Sequence, residues 1–257
     1  MFGSADNSGH HVPYLRGKVV VAMAAAEASV VHRAMDGRRF LLSGPLDFSA
    51  PFTSVVELTI AGRQHEFTAG AVGLADELAQ ALGYTDFDEE LSYQGGALST
   101  ARVLSYDPQV QLDEDRLVAA WRGRRYCFLT QLYGASTADL LAVLRTLRIT
   151  EHDDGLVVRP DSRAGSRFAA PATVIKEVPG LGLLDLRPLT AERARQLPSW
   201  RGLRTRAGEL FRDTLSDGRP YFVLAAADTW VTVLPLGDTR VDRVPDLVDR
   251  LRVQSAE

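Results

Sequence analysis

Two stretches of the chain, Arg116–Arg148 and Pro220–Arg252, follow one pattern without a gap when the first is slid 104 residues onto the second. In the first copy Arg116–Trp121 reads as a strand, Arg122–Arg124 as a turn and Tyr126–Leu132 as a second strand. Ser136 or Thr137 then opens a helix to about Leu147. Asp139, three residues after Ser136, completes a capping-box pattern. Leu140, Val143, Leu144 and Leu147 form its apolar stripe. In the second copy Pro220–Ala225 and Trp230–Leu236 are the strands, and Val244, Leu247, Val248 and Leu251 the stripe. This alignment sets Tyr126 against Trp230, Leu129 against Val233 and Leu132 against Leu236. The endings Leu147-Arg148-Ile149 and Leu251-Arg252-Val253 nearly coincide. Pro245 shortens the second helix at its start, because the residue before a proline is pushed toward extended geometry.

A two-stranded ribbon with one helix cannot hide its apolar face alone. The two copies are therefore expected to join one sheet or to pack about a pseudo-twofold axis. The fold class that follows is α+β: two strand–strand–helix units related by an internal repeat, in a mixed or antiparallel sheet with flanking helices.

At 257 residues the chain has room for one large or two small domains. The expected division is a flexible tail over residues 1–15, a first α+β part over 16–150, a linker over 151–170 and a second α+β part over 171–257. The linker begins at Glu151-His152-Asp153-Asp154-Gly155. Val19 to about Met35 reads as a buried helix ended by Gly37. Glu27 within it, and His32 and Arg33 after the apolar run, argue against a leader peptide, and the run is too short to span a bilayer. Val55–Ile60 and Gln64–Thr68 read as a hairpin, Ala71–Leu82 as a helix ended by Gly83, and Thr173–Val178 with Leu183–Leu186 as a further strand pair.

The sequence carries no GxxxxGK[ST], GxGxxG, HExxH or GxSxG motif. Its five histidines are His10, His11, His32, His65 and His152, and only the first two lie near each other in sequence. Neither a metal nor a cofactor is expected. Cys127 is the only cysteine, which excludes an internal disulfide, and its apolar neighbours Tyr126, Phe128 and Leu129 suit an inert thiol. The acidic group Asp86, Asp88, Glu89, Glu90 lacks the spacing of a calcium loop and reads as solvated. A net charge of −4 gives no sign of a nucleic-acid partner, and no membrane partner is expected. Apart from Lys18 and Lys176 every basic residue is arginine. Arg122, Arg124 and Arg125, and Arg201, Arg204 and Arg206, read as solvated groups, with recognition of an acidic partner as the alternative. Trp121 and Trp230 read first as core and, if exposed, as interface anchors.

Ser216–Leu251, SDGRPYFVLAAADTWVTVLPLGDTRVDRVPDLVDRL, resembles the end of EspG-type chaperones of type VII secretion. The resemblance covers the last forty or so residues, with the first copy as a fainter echo. It implies a quasi-twofold α+β fold and a non-catalytic role, holding a secreted helical partner soluble in the cytoplasm. The hairpin–helix Val55–Leu82 departs from that family's long helical region, so no binding residues carry over. The same hairpin–helix is loosely similar to peptide-recognition elements of ribosomal-peptide biosynthesis.

The expected function is a non-catalytic cytoplasmic adaptor or chaperone for a polypeptide, serving secretion or peptide biosynthesis. Its binding edge is expected at Tyr126–Leu132 or Trp230–Leu236, with Tyr126, Trp230, Arg125 and Arg204 as candidate contacts. One alternative is an enzyme or small-molecule binder with a cleft between the halves, using Asp86, Glu89, Arg125 and Arg204. Others are a peptide-recognition subunit of ribosomal-peptide biosynthesis and a structural or regulatory subunit of a larger complex.

Overall fold

In the computed structural model, which describes residues 27–81, 83, 87, 89–107, 111–237 and 239–256, strands dominate. The first half runs through β1 (Ala28–Arg33), β2 (Arg39–Gly44), β3 (Phe52–Ile60), β4 (Arg63–Ala71), α1 (Leu74–Ala81), β5 (Glu89–Tyr93), β6 (Gly96–Asp107), β7 (Leu112–Arg122), β8 (Tyr126–Tyr133) and α2 (Thr137–Arg145). It continues into β9 (Leu147–His152), β10 (Gly155–Pro160), β11 (Arg167–Phe168), β12 (Thr173–Val178), β13 (Gly182–Pro188) and α3 (Ala191–Ala194). Last come β14 (Leu203–Arg204), β15 (Gly208–Thr214), β16 (Pro220–Ala226), β17 (Thr229–Leu234), α4 (Val244–Val248) and β18 (Arg252–Ala256).

The expected α+β class with flanking helices is corrected. The protein is mostly β, 53% strand against 15% helix. The strands make a 13-stranded antiparallel sheet and a 5-stranded mixed one. The longest helix among the described residues has nine residues. Period-two burial explains the outcome: β3 buries Ser54, Val56, Leu58 and Ile60 in alternation, and β12 buries Val174, Lys176 and Val178.

The large sheet runs β14-β15-β16-β17-β13-β12-β3-β4-β8-β7-β6-β5, with β11 also paired to β3. Read outward from the central β12/β3 pair, both halves follow one plan. β3, β4, β8, β7, β6, β5 on one side match β12, β13, β17, β16, β15, β14 on the other. In the small sheet the closing strands cross over. β9 ends the first half but pairs with β10, while β18 ends the second half and pairs with β2. One apolar core lies between the sheets. It joins Phe40, Leu42, Leu156 and Val158 to Val56, Phe67, Phe128, Leu184 and Val231, and takes in Leu140 and Leu144 of α2 and Val244 and Val248 of α4.

Three details differ from the sequence reading. The hairpins pair Arg122 with Cys127 and Ala225 with Trp230. The ribbons are therefore equivalent one residue short of the 104 that relates Leu140 to Val244. A one-residue slip moves every side chain to the other face. Phe128 and Val231 share the inner core, and Tyr126 packs toward it, whereas Trp230 lies on the opposite face beside Arg187 and Ala225. Secondly, the expected helix from Val19 to Met35 is a strand where it is described: β1 pairs with β2 over six residues from Ala28↔Gly44 to Arg33↔Arg39. Its earlier part, and the expected tail over 1–15, lie outside the described residues. Thirdly, the stretch expected as a linker, 151–170, carries β10 and β11, and β10 buries Leu156, Val157 and Val158.

Glu151 of β9 ties the two sheets together. Its carboxylate accepts the backbone N–H groups of Arg124 (3.1 Å), Arg125 (2.6 Å) and Tyr126 (2.9 Å) in the β7–β8 turn. Burial disfavours its charge, but these donors and the Arg124 guanidinium outweigh that and hold its pKa below the ordinary value. Replacing Glu151 by alanine leaves three donors unpaired, and is expected to cost about 2 kcal/mol of unfolding free energy in urea titration. Glutamine keeps one acceptor and is expected to cost roughly half as much.

Candidate functional site

The ladder between β4 and β8 runs from Ala71↔Tyr126 to Phe67↔Thr130 and stops there. Both strands continue: residues 63–66 still pair with β3, and 131–133 with β7 or its hairpin. On their facing sides the two strands part. The Thr130 hydroxyl donates to the Glu66 carbonyl at the point where they diverge (2.6 Å). In the second half the corresponding ladder goes one pair further, to Leu183↔Leu234, before Pro235. The notch thus belongs to the first half alone.

Two hollows meet at this notch. One, of about 620 Å³, lies toward α2 and takes in Ile60, Leu132, Ala142 and Val143. The other, of about 580 Å³, lies on the outer face beside α1 and takes in Thr68, Leu78, Ala81 and Leu129. Gln64, His65, Gln131 and Tyr133 line both, so the two hollows adjoin at the notch. Tyr133 is 63% exposed at its rim. α1 forms one wall because Ala75 and Ala79 are small enough to seat it on Val118, Ala120, Cys127 and Leu129. Its counterpart α3 has four residues and buries none.

The groove's polar groups are suited to recognition. Burial, and then the charge of Arg63, pushes the His65 pKa down, so at neutral pH the ring is uncharged and offers one donor and one acceptor. Asp139 is committed to the α2 cap: it accepts from the Ser136 hydroxyl (2.6 Å) and backbone N–H (2.8 Å), which lower its pKa.

The candidate contacts do not gather in one place. The Tyr126 hydroxyl donates to the Asp153 carbonyl (3.2 Å), and Arg125 pairs with the Asp153 carboxylate (2.9 Å), so these two adjoin at the β7–β8 turn. Trp230 is half-buried and donates to the Thr232 hydroxyl (3.0 Å). Arg204 sits on β14 at one end of the large sheet and Glu89 on β5 at the other, so a shared cleft for them is not formed. Asp86 lies outside the described residues. The binding edge expected at Tyr126–Leu132 or Trp230–Leu236 is corrected: β8 runs between β7 and β4, and β17 between β16 and β13. Only the end of β8 is open, and that is the notch. The sequence does not announce it, because nothing local marks where a ladder ends.

Other chemistry-bearing groups are enclosed. Cys127 is buried, donates to the Ala71 carbonyl and has its pKa pushed up by burial. Lys176 is fully buried, and its ammonium donates to the carbonyls of Phe48 and Ala50. Trp121 is core, with its indole N–H on the Tyr93 carbonyl (2.7 Å). Among the described residues no group of three or more His, Cys, Asp or Glu side chains is placed to hold a metal ion, and no helix is long and apolar enough to cross a membrane. No family model, known protein or solved structure matches the chain.

Proposed function

We propose that this chain is a non-catalytic adaptor or chaperone that takes up a segment of a partner polypeptide in the notch between β4 and β8. The observation that carries this reading is the pair of strand edges, 63–66 and 131–133, that run on unladdered between two adjoining hollows. Such edges accept an added segment through main-chain hydrogen bonds, while pockets beside them select its side chains. Ile60, Leu132, Val143, Leu78 and Leu129 supply apolar pockets, and Gln64, His65 and Gln131 supply hydrogen bonds. The resemblance of Ser216–Leu251 to EspG-type chaperones agrees with a polypeptide partner and a cytoplasmic location.

The test places a photo-crosslinking amino acid at Tyr133 in the native host, with a control at exposed Leu104 on the β6–β7 hairpin. One discrete polypeptide adduct from position 133 and none from 104 is the expected result. Hydrogen exchange in the recovered complex is expected to slow at 63–66 and 131–133. Tyr133→Asp is expected to weaken capture by roughly tenfold or more while leaving the urea midpoint unchanged. A small molecule co-purifying in the groove, with no polypeptide adduct, would replace this reading, since the hollow is of a size that also suits such ligands.

A further inference from the structure

We propose that a second surface, at the far end of the large sheet from β5, binds an acidic polypeptide segment in extended form. β14 is the terminal strand there and pairs only with β15, through Leu203↔Leu210 and Arg204↔Glu209. Its other edge has no strand partner among the described residues. Trp200, 63% exposed, and Leu203, 56% exposed, stand on the same segment.

A hollow of about 540 Å³ takes in Leu203 and Arg204 of this strand and a smaller one of about 230 Å³ adjoins it, with Arg206 and Arg250 lining both. Arg204 lines the larger and Arg252 the smaller. The carboxylates nearby are already engaged, Glu209 opposite Arg204 by the Gly202 N–H (2.7 Å). Asp249 pairs with Arg206 (3.5 Å) and accepts its backbone N–H (3.0 Å), Glu27 pairs with Arg252 (3.5 Å), and Asp246 pairs with Arg243 (3.8 Å). Arg204 and Arg250 themselves make no ion pair among the described residues. Two uncommitted guanidiniums therefore flank an open strand edge and two exposed apolar side chains.

The combination selects the ligand. A strand added to β14 would use main-chain hydrogen bonds, and its alternate side chains would fall on one face. Carboxylates on that face meet the planar forks of Arg204 and Arg250, which suit bidentate pairing. A basic segment would be repelled. A free phosphate would use the arginines but neither the edge nor Trp200 and Leu203.

The full-length chain is titrated with a fluorescent peptide of alternating threonine and glutamate, read by anisotropy. A threonine–lysine peptide and inorganic phosphate serve as comparisons. The acidic peptide is expected to bind roughly tenfold or more tighter than the basic one, and to weaken as salt rises from about 25 to 150 mM. Arg204→Glu with Arg250→Glu is expected to weaken it by roughly thirtyfold, and Trp200→Ala severalfold. These exposed positions leave the core untouched, which circular dichroism checks. Tyr133→Asp is expected to bind the acidic peptide as the parent does, so loss of the notch reading leaves this one standing. Equal affinity for both peptides, or an unaffected charge-reversal variant, overturns the proposal. So does displacement by millimolar phosphate together with an unaffected Trp200→Ala, which would mark a simple anion site.

Discussion

Lowering the pH from 7 to 5 is expected to cost the protein about 2 kcal/mol of stability through one side chain, His32. His32 lies on β1, only 4% exposed, and stacks on Phe52 with ring centroids 4.6 Å apart. Its Nε2 is buried and makes no hydrogen bond among the described residues. Burial dominates its titration, Asp154 partly offsets it, and Lys176 adds to it, so the pKa falls from 6.5 to about 4. The unfolded chain then takes up this proton at higher pH than the folded one. Stability is complete above the unfolded value and drains away as pH falls toward 4, by about 3 kcal/mol in all. Most of the loss comes above the range where carboxylates titrate, which separates it from Glu151 and Asp154. Urea midpoints for the parent and His32→Leu at pH 7, 6 and 5 are the measurement. The parent is expected to decline steeply and the variant only slightly, through what His65 contributes in the same direction. A parallel decline in both would remove His32 as the cause.

Gly155→Ala is expected to be more damaging still at neutral pH. Gly155 opens β10 and forms the single parallel bridge to β1, opposite Arg33. A Cβ there would run into the Arg33 carbonyl, a backbone group that cannot turn aside. Relieving the clash means moving β1 or β10, at a cost of about 3 kcal/mol and a melting point lower by roughly 10 °C. Gly37→Ala is the control. Gly37 also has a positive φ, +93°, but its added Cβ meets nothing within 4 Å. It is expected to cost about 1 kcal/mol, the conformational part alone. Similar losses at both positions would show that backbone preference, rather than collision, sets the cost at Gly155.

What local chemistry determines was legible in the sequence. Ser136 and Asp139 form the capping box because it spans four consecutive residues. The burial of Cys127 follows from its apolar neighbours. What depends on distant partners was not legible. Ala28–Arg33 continues an alanine-rich run that favours helix, yet Val30 and Val31 are claimed by pairing with β2. The ribbon slip between Tyr126 and Trp230 hides in the loop before the helix, where a gapless alignment has no room for it. The notch depends on β4 and β8 parting beyond the Phe67↔Thr130 pair, which no local residue pattern marks. Arg204 stood out in sequence as one of a basic group, but its place at a sheet end, beside Arg250 from the other end of the half, is a product of the fold.

The exchange of β9 and β18 between the halves decides how this molecule can move. Two lobes joined by one connection can swing apart, but here each holds a strand belonging to the other. Separating them would strip β18 from β2 and β9 from β10, and with them the pairings of β1 to β10 and of β3 to β11 and β12. Domain opening is thereby denied to this chain as a working motion.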